Sequence, residues 1–324
     1  MKIQLLEGNL GNQIREYVFV RYAQRSKPGE EWVFDDSVFF VYSRLNDKDI
    51  DEKYLRYMPL TYELDRIFGL KVKCLSQLYS PDEWAKIIQQ RKRGIDLCQI
   101  LLDLGENMVL FEGRVNPIQI QDAQAHFSGL TIKAEGEHLG FHPEYIDLPY
   151  ENIYYHAEWA SRKWFDTYAE DNRKELQFPP LRDEQNLKYA EKISNSYSVG
   201  IHVRRGDFTT LGWHLPAEAY RPVCQRIVEG HTNLHFFIFS DDLDWCKANK
   251  KELGLDLAPA TYVSGNIGEN SYRDMQLLSM CNGMIRNAES SFSQVAGWLN
   301  PKLEFDVKIS PVQGYPFKIS TYPV

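Results

Sequence analysis

Residues Ser198 to Phe208 read Ser-Val-Gly-Ile-His-Val-Arg-Arg-Gly-Asp-Phe, and no other stretch restricts the fold and its chemistry as tightly. Val199, Ile201 and Val203 alternate as the side chains of a buried strand do, and Gly206-Asp207 supplies the turn that ends it. In an open α/β sheet the loops at the carboxyl ends of the strands converge on a crevice where ligands bind. Arg204 and Arg205 fall at such an end. Two guanidinium groups there need an anion, and their planar forks match a phosphate or diphosphate bidentately. Two other readings fit the same residues. The arginines can form structural salt bridges with His202 as a core histidine, or Arg-Gly-Asp can be an adhesion loop, which the buried strand directly before it disfavours.

Downstream of Lys192 the apolar pattern alternates regularly. It predicts strands at Val199–Val203, His235–Phe239, Ala260–Val263 and Met284-Ile285, with helices at Ala217–Val228, Asp244–Lys251, Ser271–Cys281 and Phe292–Leu299 between and after them. Such alternation predicts a parallel, doubly wound nucleotide-binding domain. Upstream, Ile3–Leu6 reads as a strand that passes through Gly8-Asn9-Leu10-Gly11-Asn12 into a helix carrying Ile14, Tyr17, Val18 and Tyr22. That turn can present backbone N–H groups to a ligand. Residues 46 to about 105 read as mainly helical, with Ser80 capping Pro81–Gln90. Strand-like pattern follows at Met108–Glu112 and Ile118–Ile120, and Tyr154–Arg173 reads as an amphipathic helix. Pro179-Pro180 is the predicted link between a domain at 1–180 and one at 181–300, with 301–324 as a C-terminal tail.

A chain of 324 residues is long for a single core, and its 43% hydrophobic and 25% charged content is that of an ordinary globular protein. The net charge of −8 argues against general nucleic-acid binding. Phosphate recognition must then be local. Cys74, Cys98, Cys224, Cys246 and Cys281 lack metal-ligand or redox spacing, which fits a reducing compartment. No apolar run approaches the ~20 residues of a membrane span. The expectation is a soluble, cytoplasmic protein, in peripheral contact with a membrane if its acceptor is lipid-linked.

Two further segments fall at strand carboxyl ends. Ser240-Asp241-Asp242 can accept hydrogen bonds from a ribose diol or from guanine, or can simply cap the next helix. Ser290-Ser291-Phe292-Ser293 opens the last helix, where hydroxyls and backbone amides make an anion site or an ordinary cap. There is no HExxH, DxD, Walker lysine loop or nucleophile elbow. Adjacent carboxylates such as Asp241-Asp242 diverge at a strand end, so no metal and no cofactor are expected.

These blocks resemble the α-1,2-fucosyltransferases of glycosyltransferase family 11. That family's His-x-Arg-Arg-Gly-Asp-Tyr/Phe motif is matched by His202 through Phe208, and its Phe-x-Phe-Ser-Asp-Asp-x-x-Trp-Cys block by Phe237 through Cys246 without gaps. Its Asn-x-Ser-Phe-Ser and Trp-Leu-Asn segments resemble Ser290 through Asn300. Its Gly-Gly-Leu-Gly-Asn-Gln resembles Gly8 through Gln13, which brings Asn12 into the candidate site. A fainter likeness lies at Trp159, Ser161, Lys163 and Phe165. Departures occur at Asn9, Arg15-Glu16, Ala160, Ala288-Glu289 and Gln294-Val295, mostly toward the acceptor side.

The resemblance implies an α/β, GT-B-like chain of two Rossmann-type domains facing a cleft, with GDP-fucose as donor substrate in the C-terminal half. It implies transfer of L-fucose with inversion to O2 of a terminal β-galactoside in a glycan. A protein O-fucosyltransferase, a transferase of another GDP-sugar and a non-catalytic nucleotide-sugar-binding protein are the alternatives. Arg204 is the expected diphosphate ligand, with Arg205 more structural. His202, Ser240, Asp241, Asp242 and the 290–293 segment complete the donor side. Asp207, His214 and Glu218 are alternatives for the base that accepts the acceptor's proton. Trp159 and Tyr155 either stack on an acceptor sugar or pack a helix.

Overall fold

The computed structural model describes residues 1–42, 62–113, 127–134, 140–312 and 315–323. The expected strand at Ile118–Ile120 and residues 46–61 of the helical stretch lie outside them. The chain divides into two compact units, Met1–Gln177 and Phe178–Val324, the division falling just before Pro179-Pro180.

Among the described residues the first unit is a parallel sheet of five strands in the order β2-β1-β5-β3-β4. They span Lys2–Leu5, Trp32–Asp35, Val109–Gly113, Leu130–Lys133 and Ile153–Ala157 for β1 to β5. Helix α1 (Leu10–Ser26) follows β1, and α2 (Pro81–Lys92) carries the predicted Ser80 cap, closed by a reciprocal bond with Glu83. Gly8 sits at φ +72°, and a Cβ there would stand 2.2 Å from the Asn12 amide nitrogen. The turn into α1 therefore needs glycine at this position.

Tyr154–Arg173 is not one helix. It is β5, then α3 (Lys163–Asp166) and α4 (Ala169–Glu175). β5 lies between β1 and β3 and is covered on both faces, so that Tyr154 and Tyr155 are both buried. A central parallel strand reads as a continuous apolar run and not as an alternation, which is why the aromatic spacing passed for helical. Trp159 and Tyr155 are core residues and not a sugar platform. Trp159 stacks on Phe19 at 3.5 Å between ring centroids, and its Nε1 donates to Gln4 Oε1 at 2.9 Å.

Among the described residues the second unit has six strands in the order β11-β10-β9-β6-β7-β8. β6 is Tyr197–Val203, β7 Leu234–Ser240, β8 Ala260–Tyr262, β9 Gly283–Asn287, β10 Phe305–Val312 and β11 Tyr315–Pro323. All neighbours run parallel except β10 and β11. The described residues of the expected tail, 301–324, thus contribute β10 and β11 to the sheet. β10 completes the sheet beside β9, burying Val307 and Ile309 with Val199, Ile201, Val203 and Ile285 in one core. From the central β6 the order runs β7, β8 to one side and β9, β10 to the other. This is the doubly wound arrangement, and its topological switch point lies between β6 and β9. The helices that position the site are α5 (Gly206–Leu211), α6 (Arg221–Gly230), α7 (Leu243–Ala248), α8 (Tyr272–Leu278) and α9 (Ser291–Leu299). The fold is α/β and GT-B-like, in having two Rossmann-type units in one chain.

All five cysteines are free and buried. Among the described residues, no helix is long and apolar enough to cross a membrane.

Candidate donor site

The carboxyl end of β6 is where Val203 leaves the sheet, and Arg204 and Arg205 diverge there as successive strand residues must. Arg204 reaches Asp207 Oδ1 through Nη2 at 2.7 Å and Asp241 Oδ2 through Nη1 at 3.0 Å. Its side chain keeps 29% of its surface in contact with solvent, so the fork is held but not sealed. Arg205 turns the other way. Its guanidinium lies 3.8 Å from the centre of the Trp245 ring and 3.5 Å from Asp242 Oδ2. Arg205 is thus engaged by Trp245 and Asp242, and Arg204 keeps the more exposed side chain of the two.

Asp241 and Asp242, adjacent in sequence, serve different arginines. Asp241 also accepts the backbone N–H of Arg205 at 2.9 Å, fixing the turn after β6 from the end of β7. Asp242 accepts the Trp245 N–H and so caps α7, while the Asp242 N–H donates to Ser240 Oγ. Ser240 and Asp242 are therefore engaged in the local turn. Gly206 makes the packing feasible, because a Cβ on it would stand 2.5 Å from Asp241 Oδ2. Gly206→Ala should push that carboxylate off Arg204. The expected result is a fall in turnover of roughly tenfold with stability changed by no more than about 1 kcal/mol. Steady-state rates and a thermal melt check it.

His202, one residue before the end of β6 and on the face opposite Val203, is 6% exposed and stacks on Phe292 at the start of α9, 5.6 Å between ring centroids. Burial, then the charges of Arg204 and Arg286, push its pKa down to about 3, so the ring is neutral at physiological pH. Ser290 and Ser293 are buried, and Ser293 Oγ is 3.5 Å from the Ser290 carbonyl that it faces as donor. Ser291 and Phe292 are half-buried at the first turn of α9. Asn287, at the end of β9, donates to the Trp213 carbonyl at 2.8 Å and anchors the loop that carries His214. His214 and Glu218 are exposed.

The structure thus brings Arg204, Arg205, Asp207, Asp241 and Asp242 together around the end of β6, with His202 and Phe292 beside them. Asn12 belongs to the first unit, in the first turn of α1. Among the described residues no group of three or more His, Cys, Asp or Glu is placed to hold a metal ion.

Three contributors were not anticipated: Trp245 under Arg205, Asn287, and the buried pair of Arg286 with Asp306. The first could have been found, since Trp245 follows the strand-end aspartates by one helical turn. Asp306 could not, because its strand was read as a tail.

The sequence profile of glycosyl transferase family 11 matches residues 126–313, more than half of the chain. The chain belongs to this family. An α-1,2-colitosyltransferase of Escherichia coli is 33% identical over 160 residues, covering 47% of this chain and 53% of that protein. A second E. coli protein, the O-antigen biosynthesis glycosyltransferase WbnK, is 32% identical over 128 residues, covering 36% and 39%. The matches therefore span about half, or less, of the length of these relatives. Among solved structures, the Bradyrhizobium fucosyltransferase NodZ aligns over 99% of this chain and 98% of its own at 14% identity, with a TM-score of 0.47. For a family 11 chain, the profile runs from β4 to the end of β10 and takes in every strand of the second unit except β11.

Proposed function

We propose that this family 11 protein is an inverting transferase of L-fucose from GDP-β-L-fucose, and that its acceptor is O2 of a terminal β-galactoside in a glycan. The observation that carries the donor half is Arg204, held between Asp207 and Asp241 at the switch point of a doubly wound sheet. In the reaction, the acceptor hydroxyl displaces GDP from the anomeric carbon, and negative charge grows on the departing diphosphate. An arginine already fixed by two carboxylates meets that charge without reorganising, so it stabilises the transition state more than the ground state. His202, neutral and stacked, offers a ring N–H to the same diphosphate. Ser291 and the amides at the start of α9 suit a phosphate oxygen, and the Asp241-Asp242 turn suits the nucleoside. Asp207, committed to Arg204, orients the arginine. Proton acceptance from the acceptor then falls to His214 or Glu218.

No metal is assigned a part in this reading. Calorimetry should show GDP binding that is unchanged by EDTA. A strict requirement for Mg²⁺ or Mn²⁺ would replace the arginine-centred account by a metal-centred one.

The named activity of the E. coli relative supports a second donor, colitose, which is fucose without its 3-hydroxyl. A site that hydrogen-bonds that hydroxyl rejects the sugar lacking it, whereas an apolar lining accepts both. Competing GDP-fucose against GDP-colitose and GDP-mannose decides between donors. Linkage analysis of the product decides the acceptor position, and fucose on any atom other than galactose O2 would sink that half alone.

A further inference from the structure

The register of the second sheet sets His202 on β6 opposite Arg286 on β9, and Arg286 opposite Lys308 on β10. Register partners in a parallel sheet point to the same face, and Asp306, two residues before Lys308, shares it. A polar row therefore crosses the sheet just below the donor site. Arg286 is 1% exposed and clamped to Asp306 by Nε at 2.9 Å and Nη2 at 3.0 Å. Its remaining nitrogen, Nη1, is buried with no hydrogen-bond partner among the described residues, and so is Nδ1 of His202. Two buried, unpartnered polar atoms on register neighbours are rare in folded proteins and need an explanation.

Their chemistry supplies one. Nη1 is only ever a donor, whereas Nδ1 can be donor or acceptor according to the tautomer. A permanently charged N–H group at the next register position favours a lone pair on Nδ1 and opposes a proton there. We propose that Arg286, locked by Asp306, is a positioning residue that fixes the tautomer of His202, so that the ring hydrogen sits on Nε2 and is offered at the strand end. This rests on the reading of His202 as a donor-side ligand. The other groups around the ring do not compete for its proton. Phe239 is its register partner on β7, Phe292 covers it from α9, and the charges acting on it are the cations Arg204 and Arg286. Asp306 is held by Arg286, with Lys308 3.9 Å from its Oδ2.

The test uses full-length protein labelled with ¹⁵N-histidine. Two-bond ¹H–¹⁵N spectra report which ring nitrogen carries hydrogen, and His202 is assigned by the signals lost in His202→Gln. Wild-type protein should show the Nε2–H form, unchanged from pH 8 to pH 5. Arg286→Gln should shift the pattern toward mixed tautomers while the ring stays neutral, since burial, the largest cause of its low pKa, is unchanged. Arg286→Lys, which keeps the charge, should restore the wild-type pattern. An Nδ1–H form in wild-type protein overturns the proposal without any variant, so it can be decided even where Arg286→Gln does not fold. A wild-type pattern in folded Arg286→Gln overturns it equally. Absence of GDP binding by the wild type would refute the donor reading instead, and the spectra would still decide the part of Arg286.

Discussion

Arg204→Lys should lower the rate of sugar transfer by about 10²–10³-fold, the loss typical when one preorganised donor to a developing anion is removed. The protein should remain folded. Arg204 is on the surface side of the core, its two partners are carboxylates at the rim, and a lysine can still pair with one of them. What a lysine cannot do is span both. Asp207 and Asp241 meet different nitrogens of one guanidinium, at 2.7 and 3.0 Å, and this two-point hold sets the plane of the fork. An ammonium is a point charge on a flexible stem and carries no such plane. In the proposed reaction the effect should appear in kcat more than in the affinity for GDP, because there the interaction strengthens as the diphosphate departs. Arg205→Lys is the control. Arg205 spends its guanidinium on the Trp245 ring and Asp242, so its replacement should cost stability and roughly tenfold or less in rate. If Arg205→Lys is the more damaging to turnover while both proteins stay folded, the two parts are reversed.

What the sequence made legible was local. β6 announced itself because Val199, Ile201 and Val203 alternate along it, β7 because aromatic and β-branched residues fill both of its faces, and a charged turn ends each. The helix cap at Ser80 was visible because the capping box needs only residues three apart. The placement of Arg204, Asp241 and Asp242 at strand ends followed from the same boundaries. What stayed hidden depends on partners distant in the chain. Whether Tyr154 and Tyr155 lie on a helix or inside a sheet is decided by β1 and β3 closing over both faces, and residue spacing carries no record of that. Phe305, Val307 and Ile309 have the alternation of a strand, but the segment lies beyond the last helix of the nucleotide-binding pattern, and only its pairing with β9 gives it a place. The divergence of Ser240 and Asp242 into a local turn, with Asp241 alone reaching Arg204, is likewise a matter of rotamers that the tripeptide leaves open.

The consequence of that hidden strand is the largest stability effect expected in the molecule. Arg286→Met removes the guanidinium but leaves Asp306, whose side chain is only 10% exposed, as a buried carboxylate without its bidentate partner. Breaking a buried ion pair in this way destabilises by about 3–5 kcal/mol, because the remaining charge stays desolvated. Lys308 stands 3.9 Å from Asp306 and can move toward it, which argues for the lower end, about 3 kcal/mol. For a chain of 324 residues that is a fall in melting temperature of roughly 4–5 °C. Removing both charges should behave differently. Arg286→Met with Asp306→Leu leaves no ion to desolvate and keeps similar volume, and such replacements are often neutral or stabilising. The pair is therefore expected to be non-additive, with the double variant melting above the single one. Thermal denaturation of the wild type, Arg286→Met, Asp306→Leu and the double variant completes the cycle. A double variant as unstable as the sum of the singles would mean that the pair contributes through backbone geometry at β9 and β10 and not through charge.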